Sequence, residues 1–161
     1  MVTGVSGTGK STVAALLSQR LDRPFCEGDD LHPEANVDLM RAGTPLTDAD
    51  REPWLAALAG WIRTRDEAGT STVMACSALR RRYRDVLAAA APGVRFVHLV
   101  GDPDLILTRM RAREHFMPPG LLTSQLATLE PLEPDEPGAA FDVAATPEAI
   151  VGQVLDRFGL G

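Results

Sequence analysis

The sequence predicts an α/β protein with three layers, in which helices cover both faces of a five-stranded parallel sheet. Two features predict this α/β/α fold. Five short segments with strand character alternate along the chain with amphipathic helical segments, as parallel strands require because each crossover needs a helix. The first strand segment also runs directly into residues 4–11, a G-x-x-x-x-G-K-S loop of the kind that joins a strand to a helix.

This loop predicts a phosphate-binding site. Successive backbone N–H groups form an anion-binding nest, and the following helix adds its positive dipole end. The chain holds 16 basic residues, and only Lys10 among them is a lysine. A slim ammonium there would reach the β- and γ-phosphates of a nucleoside triphosphate, and the Ser11 hydroxyl would hold a bridging Mg²⁺ ion. The predicted nucleotide-binding residues are Gly4, Val5, Ser6, Gly7, Thr8, Gly9, Lys10, Ser11 and Thr12.

Composition is that of an ordinary globular protein, and 161 residues correspond to a single domain, residues 1–161. No apolar run approaches the roughly 20 residues that span a bilayer, and no signal-like segment opens the chain, so we expect no membrane partner and a cytoplasmic location. The net charge of −6 argues against a nucleic-acid partner. In a reducing compartment Cys26 and Cys76 are expected to stay unpaired.

The first strand and helix surround the loop. Only residues 1–3 precede it, although a strand usually has about five or six residues, so we expect that the natural protein starts several residues earlier or that this chain begins partway into the strand. Apolar residues at helical spacing predict a helix over residues 11–21.

Three acidic residues and a histidine follow at the end of the second predicted strand, residues 24–27. They are Glu27, Asp29, Asp30 and His32. Open parallel sheets bind ligands beyond the carboxyl ends of their strands, so these side chains are candidates for a functional site.

Residues 34–68 are predicted to form a helical insert that is broken at residues 42–45. Asp48 or Asp50 is expected to cap its second helix. Arg51 lies in the first turn of that helix, where a cation is mildly disfavoured by the helix dipole. We therefore expect an anionic partner for Arg51.

The third predicted strand, residues 72–76, leads into an arginine-rich helix. Arg80 and Arg84 are four positions apart and share the side of the helix that we expect nearest the site. Arg81 and Arg82 fit a solvated face.

A fourth, apolar strand is predicted over residues 94–100, with His98 as a core histidine. Asp102 followed by proline is a typical helix start. The helix that it opens ends in arginines, among which Arg109 and Arg113 share a face.

The last third of the chain contains a predicted mobile lid, residues 114–138, which is flanked by proline and glycine and has arginines at its root. A fifth strand over residues 141–144 and a closing helix over residues 147–158 complete the predicted fold.

These features exclude some classes of nucleotide-binding protein. A GTPase switch needs an N-K-x-D motif for guanine, and the single lysine already lies in the phosphate loop. A large ATPase needs an apolar strand that ends in Asp, whereas the third strand ends in Cys76 and Ser77. A small-molecule kinase with a lid and a substrate-binding insert fits best.

The sequence resembles the gluconokinases, P-loop kinases related to shikimate kinase and the nucleoside monophosphate kinases. The resemblance runs over nearly the whole chain and depends on several blocks taken together. They are residues 4–11, 27–33, 45–54, 76–79, 83–85, 115–117, 124–125 and 129–131.

The resemblance implies ATP- and Mg²⁺-dependent phosphorylation of D-gluconate, giving 6-phospho-D-gluconate, by a homodimer. Lys10, Asp29 and Arg113 are the implied catalytic residues, with Asp29 orienting and deprotonating the acceptor hydroxyl. The implied metal-site residues are Ser11 and Glu27, and Arg109 joins the nucleotide-binding set. The implied substrate-binding residues are Asp29, His32, Arg51, Ser77, Arg80 and Arg84, with the arginines on the gluconate carboxylate.

Two departures and two alternatives remain. Most gluconokinases have lysine where this chain has Arg80, and the family's Arg-x-Gly-His-Phe reads one residue shorter here, as residues 113–116. A kinase for another small hydroxy acid is one alternative, although shikimate kinase has a Gly-Gly-Gly stretch where this chain has residues 76–78. A non-catalytic nucleotide-binding regulator is the other, but it would have no use for Asp29 together with Arg51.

Overall fold

A parallel β-sheet lies at the centre of the computed structural model, which describes residues 1–112 and 120–160. Its strands are β1 (Val2–Thr3), β2 (Phe25–Glu27), β3 (Val73–Ala75), β4 (Phe96–Val100) and β5 (Gly138–Asp142). They lie in the order β2-β3-β1-β4-β5, and every neighbouring pair is parallel. The strand that feeds the phosphate loop is therefore the central one.

Helices follow the strands in the described part of the chain. They are α1 (Lys10–Leu21), α2 (Glu34–Arg41), α3 (Asp48–Glu67), α4 (Arg81–Ala88), α5 (Pro103–Arg111), α6 (Gly120–Thr128) and α7 (Pro147–Phe158). A short 3₁₀ helix, Gly28–Leu31, follows β2. None of the helices described here is long and apolar enough to cross a membrane.

The two faces of the sheet carry separate apolar clusters. On β3, Val73 and Ala75 pack with residues of α1, α5 and α7. Met74 and the following Cys76 pack on the opposite face, with residues of α3 and α4. Because side chains alternate along a strand, one strand supplies both clusters, and the predicted three-layer fold is confirmed.

The start of α3 differs from the sequence prediction. Thr47, rather than Asp48 or Asp50, is the N-cap, and its hydroxyl accepts a hydrogen bond from the Asp50 amide at 3.3 Å. The Asp50 carboxylate in turn accepts from the Thr47 amide at 2.8 Å. This reciprocal capping box satisfies two amides at once, which leaves Asp48 for another role.

The fifth strand begins earlier than predicted. Residues 141–144 have the apolar pattern, but β5 runs from Gly138, which pairs with Phe96 of β4. A side chain at position 138 would place its Cβ 2.6 Å from the Phe96 carbonyl oxygen. Close pairing therefore requires a residue without a Cβ here, and glycine does not give an apolar strand signal.

Part of the predicted lid is bonded to the body of the protein. The Glu130 amide donates to the Leu79 carbonyl at 2.8 Å, and the Arg81 guanidinium donates to both carboxylate oxygens of Asp135, each at 2.8 Å. Residues 130–137 are thus hydrogen-bonded to α4 and to the loop before it. Residues 113–119, including Arg113, lie outside the described residues.

Candidate active site

The phosphate loop has the backbone shape that an anion site needs. Gly7 and Gly9 have φ angles of 84° and 86°, in the left-handed region that glycine adopts without strain. A Cβ at Gly7 would also lie 2.4 Å from the Met110 side chain of α5. Gly9 is the N-cap of α1 and makes no side-chain capping bond, so the first amides of α1 remain directed toward an incoming anion.

Lys10 is held against this loop. Its ammonium donates to the Val5 carbonyl at 3.1 Å. Burial lowers the pKa of Lys10, while the negative charges of Asp29 and Glu27 act in the opposite direction. A bound polyphosphate would therefore stabilise the charged form of Lys10.

Two oxygen-bearing side chains meet where the end of β2 lies beside the start of α1. The Ser11 hydroxyl donates to the Glu27 carboxylate at 2.5 Å. Burial raises the pKa of Glu27, and the Ser11 hydrogen bond acts against that shift. Both groups are hard oxygen donors, which suits Mg²⁺. Across residues 1–112 and 120–160, no group of three or more His, Cys, Asp or Glu side chains is arranged to hold a metal ion.

The 3₁₀ helix after β2 positions Asp29. A Cβ on Gly28 would lie 2.6 Å from the Ala75 carbonyl, so the turn lies directly against the end of β3. The Trp54 indole N–H of α3 donates to the Gly28 carbonyl at 2.8 Å. Asp29 is thus fixed between the sheet and the helical insert.

His32 packs beside Asp29. Its ring stacks on Trp54, with centroids 4.4 Å apart and an interplanar angle of 11°. Its Nε2 atom lies 4.0 Å from the nearer Asp29 carboxylate oxygen, and its Nδ1 atom lies 3.3 Å from the Asn36 amide nitrogen. Burial lowers the pKa of His32, Asp29 opposes that shift, and Arg51 adds to it. His32 is therefore neutral at pH 7.

A pocket brings four of the six predicted substrate-binding residues together. Asp29, His32, Arg51 and Ser77 line it, next to α6. The pocket adjoins the phosphate loop, because the Ser77 carbonyl accepts from the Gly4 amide at 3.4 Å.

Arg51 forms one wall of this pocket. Its guanidinium donates to the carbonyl oxygens of Leu46 and Thr47 and lies 5.7 Å from the centre of the Tyr83 ring. The described contacts of Arg51 are therefore with carbonyl dipoles and an aromatic face, and the anionic partner that we expected is not among them. An anionic ligand in the pocket would supply that partner.

Arg84 does not reach the pocket, and its prediction as a substrate-binding residue is wrong. Its side chain is 0% exposed. It donates to both oxygens of Glu136, at 2.6 and 2.8 Å, and to the carbonyls of Ala78, Leu79, Glu130 and Pro131 at 3.1–3.3 Å. All its N–H groups are engaged in these bonds, so none remains for a substrate carboxylate.

Neither Arg80 nor Arg109 lines this pocket. Arg80 is the N-cap of α4, and its guanidinium lies 3.7 Å from Asp48. The buried Nε of Arg80 has no hydrogen-bond partner among the described residues. Arg109 donates to the Val143 carbonyl at 2.7 Å, on the α5 side of the loop.

Comparisons with known proteins identify the family. A family model described as an AAA domain matches residues 1–132. A curated gluconokinase from Gluconobacter oxydans (strain 621H) is 46% identical over 159 residues, which cover 98% of this chain and 89% of that protein. The chain belongs to the gluconokinase family.

Solved structures agree with this assignment to the gluconokinases. A sugar kinase from Janibacter sp. HTCC2649 has a TM-score of 0.95 at 48% identity, with 99% of this chain and 93% of that chain covered. A gluconokinase from Sinorhizobium meliloti 1021 has a TM-score of 0.89 at 44% identity, with 98% and 89% covered.

Sequence reasoning missed two contacts at the gluconokinase site. The Gln125 side-chain oxygen on α6 accepts a hydrogen bond from the Ser6 amide of the phosphate loop at 2.7 Å. Gln125 also lines the pocket, so it connects the loop with the pocket wall. Residue 125 belongs to a block that carries the family resemblance, but nothing in its spacing indicates a contact with residue 6.

The second missed contact is a cluster of polar and basic side chains around the carboxylate of Asp48, the first residue of α3. The Asp48 carboxylate accepts from the Tyr83 hydroxyl and pairs with Arg82, and these two hydrogen bonds lower the pKa of Asp48 to about 2. The cluster joins α3 to α4. An unremarkable acidic residue at a helix start gave no sequence signal for it.

Proposed function

We propose that this protein transfers the γ-phosphoryl group of ATP to the terminal hydroxyl of D-gluconate, giving 6-phospho-D-gluconate and ADP. The observation that carries the proposal is the pocket beside the phosphate loop, in which a carboxylate, Asp29, and a guanidinium, Arg51, line the same space. Such a pocket suits a hydroxy acid, and membership of the gluconokinase family supports gluconate in particular.

The loop amides and Lys10 would hold the phosphates, and phosphoryl transfer needs this positioning and charge neutralisation more than covalent help. Mg²⁺ on Ser11, with Glu27 holding one of its waters, would neutralise charge between the β- and γ-phosphates. As the hydroxyl oxygen bonds to the γ-phosphorus, the bond to the β–γ bridging oxygen breaks and its electron pair leaves with ADP. Asp29 accepts the hydroxyl proton late in this loose transition state, so a carboxylate is basic enough.

Other side chains would bind the rest of the substrates. Arg51 binds the gluconate carboxylate, with Arg80 as an assisting charge, while His32 and Ser77 contact sugar hydroxyls. Arg109 and Arg113 would contact the nucleotide, and Arg113 is proposed to neutralise the γ-phosphate.

An ADP-release assay over a panel of acceptors tests the proposal. Gluconate should give turnover, whereas shikimate, other sugar acids and nucleoside monophosphates should give much less. Turnover with shikimate alone would establish the alternative kinase, and no turnover with any acceptor would favour a nucleotide-binding regulator.

A substitution at Asp29 tests its role as the base. Asp29→Asn should lower kcat by at least about 10²-fold while ATP binding, measured by calorimetry, stays nearly unchanged. Asp30→Asn is the matched control, since Asp30 is the exposed neighbour on the same turn. Turnover retained in Asp29→Asn would remove Asp29 from the role of base.

The family resemblance also supports a homodimer in the cytoplasm. Light scattering after size-exclusion chromatography tests the first of these proposals, and a mass near that of one 17.2 kDa chain would contradict it. Fractionation of the native cells tests the second.

A further inference from the structure

Asn36 links the start of α3 to His32. It is buried, at 5% exposure, and its amide nitrogen donates to the Asp50 carbonyl at 2.7 Å. A carbonyl oxygen only accepts hydrogen bonds, so the group that faces it must be the NH₂ of Asn36. The same nitrogen lies 3.3 Å from His32 Nδ1 and has a second N–H to give.

This arrangement decides which nitrogen of His32 carries the proton. Nδ1 accepts from Asn36, so in the neutral ring the proton lies on Nε2. The ring cannot easily turn, because it stacks on Trp54, whose own N–H is bonded to Gly28. Nε2 therefore faces Asp29 with its N–H.

The gap between His32 and Asp29 has the size of one oxygen atom. Nε2 and the Asp29 oxygen lie 4.0 Å apart, too far for a direct hydrogen bond. A single hydroxyl oxygen can lie about 2.8 Å from both atoms at once. It would accept from His32 Nε2–H and direct its own proton to Asp29. With the proton on Nδ1 instead, His32 and Asp29 would both be acceptors and would compete for that proton.

We infer that Asn36 is a positioning residue that holds His32 in its Nε2–H form, so that a substrate hydroxyl between His32 and Asp29 directs its proton to Asp29. The role of the hydroxyl rests on the proposed function, but the position of the His32 proton does not. Of the charged groups around the ring, Asp29 faces it from the 3₁₀ helix and Arg51 from α3.

A long-range ¹H–¹⁵N correlation spectrum of the ¹⁵N-labelled protein, without substrate at pH 7.5, reads the tautomer directly. We expect His32 to show a protonated Nε2 and an unprotonated Nδ1. The chain has 3 histidines, and loss of one set of signals in His32→Gln assigns them. A wild-type His32 with a protonated Nδ1, or with both nitrogens protonated, would overturn the inference.

Variants at position 36 test the consequence. Asn36→Asp replaces the donor with an acceptor, so the His32 signals should change to those of a protonated Nδ1. We expect kcat to fall on the order of 10-fold to 10²-fold, because the hydroxyl proton is misdirected, with the KM for ATP within 2-fold. If Asn36→Asp leaves the His32 tautomer unchanged, or changes the tautomer without lowering kcat, the inference about Asn36 is overturned.

Two controls separate this role from a general loss of structure. His98, whose Nδ1 lies 2.9 Å from the Thr3 hydroxyl, should keep its signals in every Asn36 variant. Gln153→Glu adds a charge at an exposed position of α7 and should change neither readout. If Asn36→Asp does not fold, Asn36→Leu can replace it, because leucine removes the donor without adding charge. We expect that variant to show a mixture of the two His32 tautomers. A His32 that stays wholly in the Nε2–H form in Asn36→Leu would contradict the inference.

The two proposals can fail separately. A protein that does not phosphorylate gluconate but shows His32 with Nε2–H loses the proposed function and keeps the Asn36 assignment. A gluconate kinase whose His32 carries its proton on Nδ1 keeps the function and loses the assignment.

Discussion

Replacing Arg84 with methionine is expected to destabilise the protein without weakening gluconate binding. Methionine keeps much of the side-chain length but removes the charge and every N–H group. The variant would leave Glu136, itself only 7% exposed, as a buried carboxylate without its ion partner. Four backbone carbonyls would also lose a donor.

Breaking a buried ion pair by removing one partner costs about 3–5 kcal/mol. Domains of this size are typically stable by only about 5–15 kcal/mol, so Arg84→Met should lose a large part of the free energy of unfolding. The double variant Arg84→Met/Glu136→Gln leaves no buried charge and should lose less than the sum of the two single variants.

Urea denaturation at pH 7, followed by tryptophan fluorescence, measures these changes. Arg63→Met is the matched control, because Arg63 is exposed on α3, and should change stability by less than about 0.5 kcal/mol. The KM for gluconate is then measured at a temperature where each variant is folded, and we expect it to stay within about 3-fold of wild type for Arg84→Met. A variant of normal stability with a KM raised 10-fold or more would refute this reasoning and return Arg84 to the substrate site.

Three further predictions concern other described residues. Arg51→Ala should raise the KM for gluconate about 10-fold to 10²-fold with little change in kcat, since it loses a charge-assisted hydrogen bond of about 1.5–3 kcal/mol; an unchanged KM in the ADP-release assay would remove Arg51 from the carboxylate site. Gln125→Ala deprives the Ser6 amide of its acceptor and should lower kcat/KM for ATP about 3-fold to 10-fold. Gln153→Ala is the exposed control, and an equal kcat/KM for ATP in the two variants would contradict this prediction. Burial lowers the pKa of His98 from 6.5 to about 4, so between these pH values the unfolded chain binds a proton that the native protein does not. Stability should therefore fall by about 2–3 kcal/mol from pH 7 to pH 4.5 in urea titrations, and the same fall in His98→Gln would argue against this origin.

Most of the fold could be predicted because its signals are local. Helical spacing and the phosphate loop fix the alternation of strands and helices, and the alternation requires a parallel sheet. The misplaced elements depend on long-range pairing instead. The start of β5 is set by backbone contact with Phe96, and small residues such as Gly138 give no apolar pattern there.

The residues of the candidate site also fall into those that local patterns predict and those that depend on long-range pairing. Asp29, His32 and Ser77 follow strand ends, and parallel topology alone brings such positions to one edge of a sheet. Arg80 and Arg84 look equivalent in sequence because positions four apart share one side of a predicted helix. What separates them is Glu136, a residue more than fifty positions later that pairs with Arg84, and no local pattern indicates that pairing.

The cluster of side chains around the Asp48 carboxylate affects which acids the protein accepts. Since Asp48 ties α3 to α4, and Trp54 ties α3 to the turn that holds Asp29, the two ends of the acceptor pocket cannot slide apart independently. If Arg51 binds the carboxylate of the substrate while Asp29 contacts the hydroxyl that reacts, these two groups lie at a fixed distance from each other. A sugar acid of a different chain length would then lose one of these two contacts, so chain length would contribute to the choice of substrate.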